Sequence, residues 1–577
     1  MLLPRTLLRL RRLLVLRPSK TPSTSVLPKR HTRPTSQWRP QVPFLAVPLS
    51  KNHQFRYLTT EKKKWLAYEV FLGFKYYFYF WAIIGVSAVG VGFIQQEWLE
   101  RQYPSPHEWR FFTRVKYRMV KWAPERPDKP EVDWAGTGEM VKEAIEKLED
   151  VSIEGAGIVP LVPEAEDEGE NRKPLAYDIT AKSEPWRRGY YDMLMMCAKV
   201  AEHLEDHVLD TTRHVIFPAN QVKGPSNPSP KPIRHGSPSA PHERDCVPAF
   251  ENPIAIYEKI LATKGFTLKQ RMDAVLDYAS YLDFKGMTDI SSLMYEGAVM
   301  LATEDLYPTP PLYDTETYVL QDPTQHPSAN LLTTLTSLAT HKARTGDLDG
   351  ALPMLISILR ARRSLPHQRP SKTVTYDRSD PHSSPWTFGN ILNTAKWLLL
   401  PPAYPPPPDD GHLPPPRDAK GLCEEAGLNL YIGEIIFASS PASNPRGRED
   451  GLAWTREAID LSEEQLHRLN GVDGDDEKAA AAKKTCRECL RGGLDNWRLM
   501  VSRLARDERE REAADSATAA SAGWLKGLWG EGPEDAAARG RWAAEENVVK
   551  ERTRRAMEVV EKSEAPKAFG LMSLFEA

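Results

Sequence analysis

Cys486 and Cys489 form a Cys-x-x-Cys pair, a spacing that serves thiol–disulfide chemistry after a strand and binds zinc when it occurs twice. Here it stands alone on a helical stretch with no second pair, so it points only weakly to either chemistry. His203 and His207 are four apart, as two imidazoles must be to meet one metal on a helix, but the residue after His203 is Leu204. The glutamate base of a His-Glu-x-x-His protease is therefore missing, and solvated or capping histidines fit better. The chain contains no GxxxxGK[ST], no GxGxxG after a strand and no GxSxG, which leaves phosphate-loop, dinucleotide and hydrolase chemistry without their parts. Five scattered cysteines are too few for a disulfide scaffold. No catalytic, cofactor or metal residue is assigned.

What the sequence does offer is a surface. The stretch VLDYASYLDFKGMTDISSLMYEGAVML follows the tetratricopeptide pattern, with Val275, Tyr278, Ala279 and Leu282 on a first helix, Gly286 in the turn, and Ser291, Tyr295 and Ala298 on a second. Small residues let the two helices approach closely, and large ones fill the gaps. A second copy places Leu335, Leu338 and Ala339 before Gly346, then Ala351, Leu355 and Ile358. Two degenerate copies follow: Asn429 to Phe437 pairs with the segment around Gly451, Thr455 and Ala458, and a helix over 483–511 pairs with one over 540–562. Such hairpins must stack to cover their apolar faces, which predicts a curved solenoid. By repeat position, Asp273, Ser280, Asp283, Thr333, Thr336 and Thr340 are expected to line its concave groove.

Upstream, Tyr76–Ile94 is an uncharged run about long enough to cross a bilayer, while Lys62, Lys63, Lys64 and Lys75 precede it and Glu97 follows. Residues 1–58 hold nine arginines and three lysines with no Asp or Glu, and arginines interrupt the leucines, the pattern of a mitochondrial presequence. Arg56-Tyr57-Leu58 resembles a matrix-protease site, so the mature chain is expected to start near Thr59. Without the first 58 residues, 64 basic residues face 78 acidic ones, a balance that argues against nucleic-acid binding.

The expected organisation is a presequence (1–58), a matrix-side stub (59–75), a transmembrane helix (76–96), a juxtamembrane connector (97–134) and an all-α tetratricopeptide-repeat domain (135–577). The connector carries Trp98, Trp109, Trp122 and Trp134, suited to a membrane interface. A core-facing helix is expected over 186–210. Insertions are expected at 218–250, too rich in proline for helix or sheet, at 401–416, a stiff polyproline spacer or a ligand for a proline-binding module, and at 512–539. Trp524 to Trp529, WLKGLW, is expected to touch a membrane, a partner or the solenoid itself.

The presequence, the single span, PWRRGYYDMLMMCAKVAEHLEDHVLDTTRHVIFP over 185–218, DFKGM over 283–287 and the repeats together resemble the fungal tetratricopeptide adaptor of the mitochondrial inner-membrane i-AAA protease complex. The resemblance implies an inner-membrane protein with its bulk in the intermembrane space. It also implies two partners, the protease and a companion adaptor subunit, and misfolded proteins as clients; it implies no catalytic residue. An assembly factor for a respiratory complex would share the anchor, compartment and repeats. An outer-membrane import receptor shares the anchor and repeats, but the acid-free presequence argues against it.

Overall fold

The computed structural model describes residues 60–126, 131–161, 175–233, 236, 238–304, 312–321, 326–366, 404–441, 444–470, 477–522 and 540–564. The presequence and the WLKGLW motif lie outside them. The chain divides into two units, Met1–Ser87 and Ala88–Ala577.

Helix α1 runs unbroken over Thr60–Gln102, through both expected boundaries of the span, because nothing from Lys62 to Arg101 breaks a helix. Pro104 ends it, since the residue before a proline is driven out of the helical region. The aromatic and aliphatic side chains from Tyr76 to Ile94 are exposed along its length. This is the one helix among the described residues long and apolar enough to cross a membrane.

In the second unit, α2 (Phe111–Trp122) is fastened to the end of α1 by charge. The buried Glu100 carboxylate accepts hydrogen bonds from Ser105 Oγ at 2.8 Å, from Arg114 Nη2 at 2.9 Å and from Arg118. Of the four connector tryptophans, Trp98 and Trp122 meet edge to face, and Arg126 covers Trp122 at 4.3 Å. Trp109 is instead buried in the core and Trp134 stacks on His203 at 4.0 Å, so these two are packing residues.

Helices α3 (Trp134–Glu149), α4 (Glu184–Leu204), α5 (Pro253–Ala262) and α6 (Leu268–Phe284) share one core, with Leu148, Leu194, Ile260 and Leu282 at its centre. All four of these helices start on side-chain caps: Asp133, Ser183, Asn252 and Thr267 accept backbone N–H groups of the first turn. The helix expected over 186–210 ends at Leu204, and the fold departs from all-α there. Strand β3 (His207–Asp210) lies between β4 (Val215–Pro218) and β5 (Cys246–Pro248), with Val208 opposite Phe217 and Leu209 opposite Val247. Thus the ends of the proline-rich 218–250 stretch do join a sheet; their prolines sit on edge strands, where a missing N–H costs no ladder bond. A second pair, β1 (Val159–Leu161) with β2 (Ala176–Asp178), is equally short.

The remaining helices form antiparallel hairpins packed in chain order. Helix α6 pairs with α7 (Thr288–Thr303), α8 (Ala329–Thr345) with α9 (Leu348–Ser364), α10 (Ala419–Ser439) with α11 (Pro445–Asn470), and α12 (Glu477–Ala522) with α13 (Arg541–Glu564). Gly286 and Gly346 take positive φ in the first two turns, at +75° and +98°. Helix α10 meets α11 at a glycine contact: a Cβ on Gly433 would come within 2.7 Å of the Gly451 carbonyl. Helix α12 continues to Ala522, so the first part of the expected 512–539 insertion is helical, as its alanine content favours. The expected 401–416 spacer is fastened at two points: Arg188 donates to the carbonyls of Pro405 and Pro406 and covers the Tyr404 ring at 4.5 Å, and Asn330 donates to Asp410 and Gly411 carbonyls.

A buried hydrogen-bonded knot joins α6, α7 and α8. The Asp283 carboxylate accepts Ser291 Oγ–H at 2.5 Å and Tyr295 O–H at 3.2 Å, and His341 Nδ1 lies 2.9 Å from it; the Asp283 and His341 side chains are 11 % and 3 % exposed. Removing the carboxylate leaves Tyr295 and His341 without this partner, while Ser291 keeps the Thr288 carbonyl at 3.0 Å, at a cost of about 3 kcal/mol. Asp283→Ala in the full-length protein should therefore speed amide hydrogen exchange across α6–α8 roughly a hundredfold and leave α12 unchanged.

Candidate binding clefts

The six residues expected to line a single groove lie in different places. Asp283 is inside the knot. Thr340 donates to the Ser337 carbonyl in its own helix. Asp273 is half-buried on α6. Ser280, Thr333 and Thr336 line concave surface, in two separate clefts.

The first cleft, of 390 Å³, is walled by α4, α5 and α6 and contains Lys199, Glu202, Tyr257, Asp277, Ser280 and Phe284. Its carboxylates are crowded. Glu202 accepts the Tyr257 hydroxyl at 2.6 Å. Burial raises the Glu202 and Asp277 pKa values above their ordinary range, opposed at Glu202 by the Tyr257 hydrogen bond and at both by Lys199. One turn from Asp277, burial pushes the Asp273 carboxyl up to about 6, with Asp277 adding to the rise and Lys269 opposing it. His203 at the rim is held towards its neutral form by burial. His207 belongs to β3 instead of the helix, so the two histidines do not share a helical face. Among the described residues no cluster of three or more His, Cys, Asp or Glu side chains could hold a metal ion.

The second cleft, of 480 Å³, lies where α8, α10 and α12 come together, each the first helix of its hairpin, with Arg362 of α9 at the edge. Thr333, Thr336 and Ser337 supply one wall; Glu424, Tyr431 and Glu434 supply the second; Glu488, Cys489 and Asn496 supply the third. The hydroxyls of Thr333 and Thr336 bond the carbonyls one turn back, which leaves their methyl groups and lone pairs to face outward chemistry. Arg362, almost fully buried, donates to Glu424 at 2.6 Å and fixes that wall. Neutral hydroxyls, one aromatic ring and carboxylates make a surface suited to hydrogen-bonding an extended chain, and no pairing of nucleophile and base is among its lining residues.

A disulfide that spacing did not reveal closes one end. Cys486 pairs with Cys423, 63 residues earlier, with Cα atoms 5.1 Å apart, and so cross-links α10 to α12. The Cys-x-x-Cys unit is thereby split. Burial pushes the remaining Cys489 thiol up to about 11, which keeps it protonated and unreactive.

No family model matches the chain, and no curated protein or solved structure matches it.

The half-buried Asp273 carboxyl, one turn from the first cleft, predicts a pH dependence. Because the folded Asp273 pKa lies above its ordinary 3.8, the unfolded chain releases this proton first as pH rises, and stability falls between about pH 4 and 6. Allowing for solvent screening, Asp273→Asn should gain about 1–2 kcal/mol at pH 7.5 and almost nothing at pH 4, measured by urea unfolding at both values.

Proposed function

We propose that the chain is a non-catalytic adaptor of the mitochondrial inner membrane, anchored by α1, with its bulk in the intermembrane space. Its hairpins are read as tetratricopeptide-type repeats stacked into a solenoid. It binds an i-AAA-type protease together with a companion adaptor subunit and presents misfolded segments to them. The observation that carries this reading is the three-walled cleft of α8, α10 and α12, which can hold an extended polypeptide through hydroxyls, carboxylates and Tyr431. The Cys423–Cys486 bond supports the compartment, because disulfides persist where the thiol balance is oxidising.

Affinity purification of the tagged protein in mild detergent, with mass spectrometry of what copurifies, tests the partner. The i-AAA protease is expected at near-stoichiometric yield; a respiratory-complex module in its place would move the function to assembly. Alkylation of intact mitochondria tests the compartment. Of the five cysteines, Cys423 and Cys486 should resist modification until reduction, and modification of both without reductant would place the domain in a reducing space.

A further inference from the structure

Helix α7 turns an apolar stripe away from the core. Ile290, Leu293 and Met300 are 42 %, 62 % and 64 % exposed, and with Gly297 they repeat at intervals of three, four and three residues. That is the a/d seam of a coiled coil, a pattern that a helix needs only where another helix lies along it. Gly297 sharpens the point: a Cβ built there meets nothing within 4 Å, so the seam has a notch at its middle where a second backbone or a large side chain can approach closely. The helix does not need this face for its own packing, which Ser291, Tyr295, Ala298, Val299 and Ala302 supply from the opposite side.

Charge selects the occupant. Asp289 and Glu296 stand seven residues apart along one flank of the stripe; no ion pair holds either among the described residues, and Glu296 lies near the Tyr318 hydroxyl, whose pKa it helps to raise after burial. Three cations of the neighbouring helices are engaged elsewhere, Lys285 with Glu205 at 2.7 Å, Arg271 with Glu304 at 3.8 Å, and Lys342 with Asp347 at 3.6 Å and with the Tyr318 ring. A second copy of α7 laid antiparallel along the seam would bring acid against acid, and a parallel copy would set Glu296 against Leu301. An anionic lipid surface would be repelled in the same way. A partner helix with leucine or isoleucine at its own a/d positions and Lys or Arg beside them would satisfy both the stripe and its flank.

The geometry points to the outer face of α7 as a docking site for a basic amphipathic helix of a partner protein. This does not rest on the client-binding cleft, which is built from other helices.

The test uses the full-length protein in detergent micelles and two synthetic peptides about three heptads long, with identical leucine seams and either lysine or glutamate on the flanks. The lysine peptide should bind saturably and the glutamate peptide at least tenfold more weakly. Leu293→Asp should weaken the lysine peptide at least tenfold, and Glu296→Lys should abolish or reverse the preference between peptides. Circular dichroism identifies a variant that has not folded, and the Glu296→Lys result then decides. A photo-crosslinking residue at position 293 reports the occupant directly: a crosslink to the lysine peptide supports the site. Equal binding of both peptides, no saturable binding, or a crosslink from position 293 to a second copy or to the same chain would overturn the proposal.

Discussion

No hairpin in this chain can bury both of its faces by itself, so each apolar face is a debt that the next hairpin must cover. The consequence is visible at every junction: α7 packs on α8, α9 on α10 and α11 on α12, and the core passes from one cluster to the next. Apolar burial is non-directional, however, and does not by itself set the angle at which successive hairpins meet. The Asp283 knot does so at the first junction, because a carboxylate shared by Ser291, Tyr295 and His341 tolerates only one arrangement of α6, α7 and α8. Further along, the Gly433–Gly451 approach and the Cys423–Cys486 bond restrict α10 relative to α11 and α12. Directional contacts thus specify what hydrophobic packing only favours.

The hairpins were legible in the sequence because their signals are local. Helical periodicity, small residues at close approaches and the glycines at 286 and 346 all act within one hairpin's length. The candidate site was legible only in part. Thr333 and Thr336 do line a cleft, but Asp283, assigned to the same groove from its repeat position, is recruited inward by a histidine 58 residues later, and no local pattern announces such a pairing. The same holds for Cys423 and Cys486: the conspicuous neighbour of Cys486 was Cys489, whereas the bonded one stands on a different helix. The sheet around β3 was missed for another reason. Proline content argues against a strand interior, but β4 and β5 are edge strands in which Pro218 and Pro248 occupy terminal positions.

The body's electrostatics follow one theme on a coarser scale. Buried carboxylates are either multiply hydrogen-bonded, as Glu100 and Asp283 are, or left with raised proton affinity, as Asp273 and Asp277 are. The first kind joins elements. The second kind stores unfavourable charge on α4–α6, beside a cleft whose one cation is Lys199.

The strap over 404–413 has a consequence for the order in which the protein can be completed. Arg188 closes on carbonyls some 217 residues downstream, and the first backbone N–H groups of α8 are satisfied by Gly411 and Leu413, about eighty positions later in the chain. A polypeptide delivered from its N-terminus exposes α4 and α8 long before their strap exists. Contacts so far apart in sequence form more slowly than those within a hairpin. Vectorial arrival therefore leaves the first half of the body in a waiting state, with its helices formed and its fastening still to come.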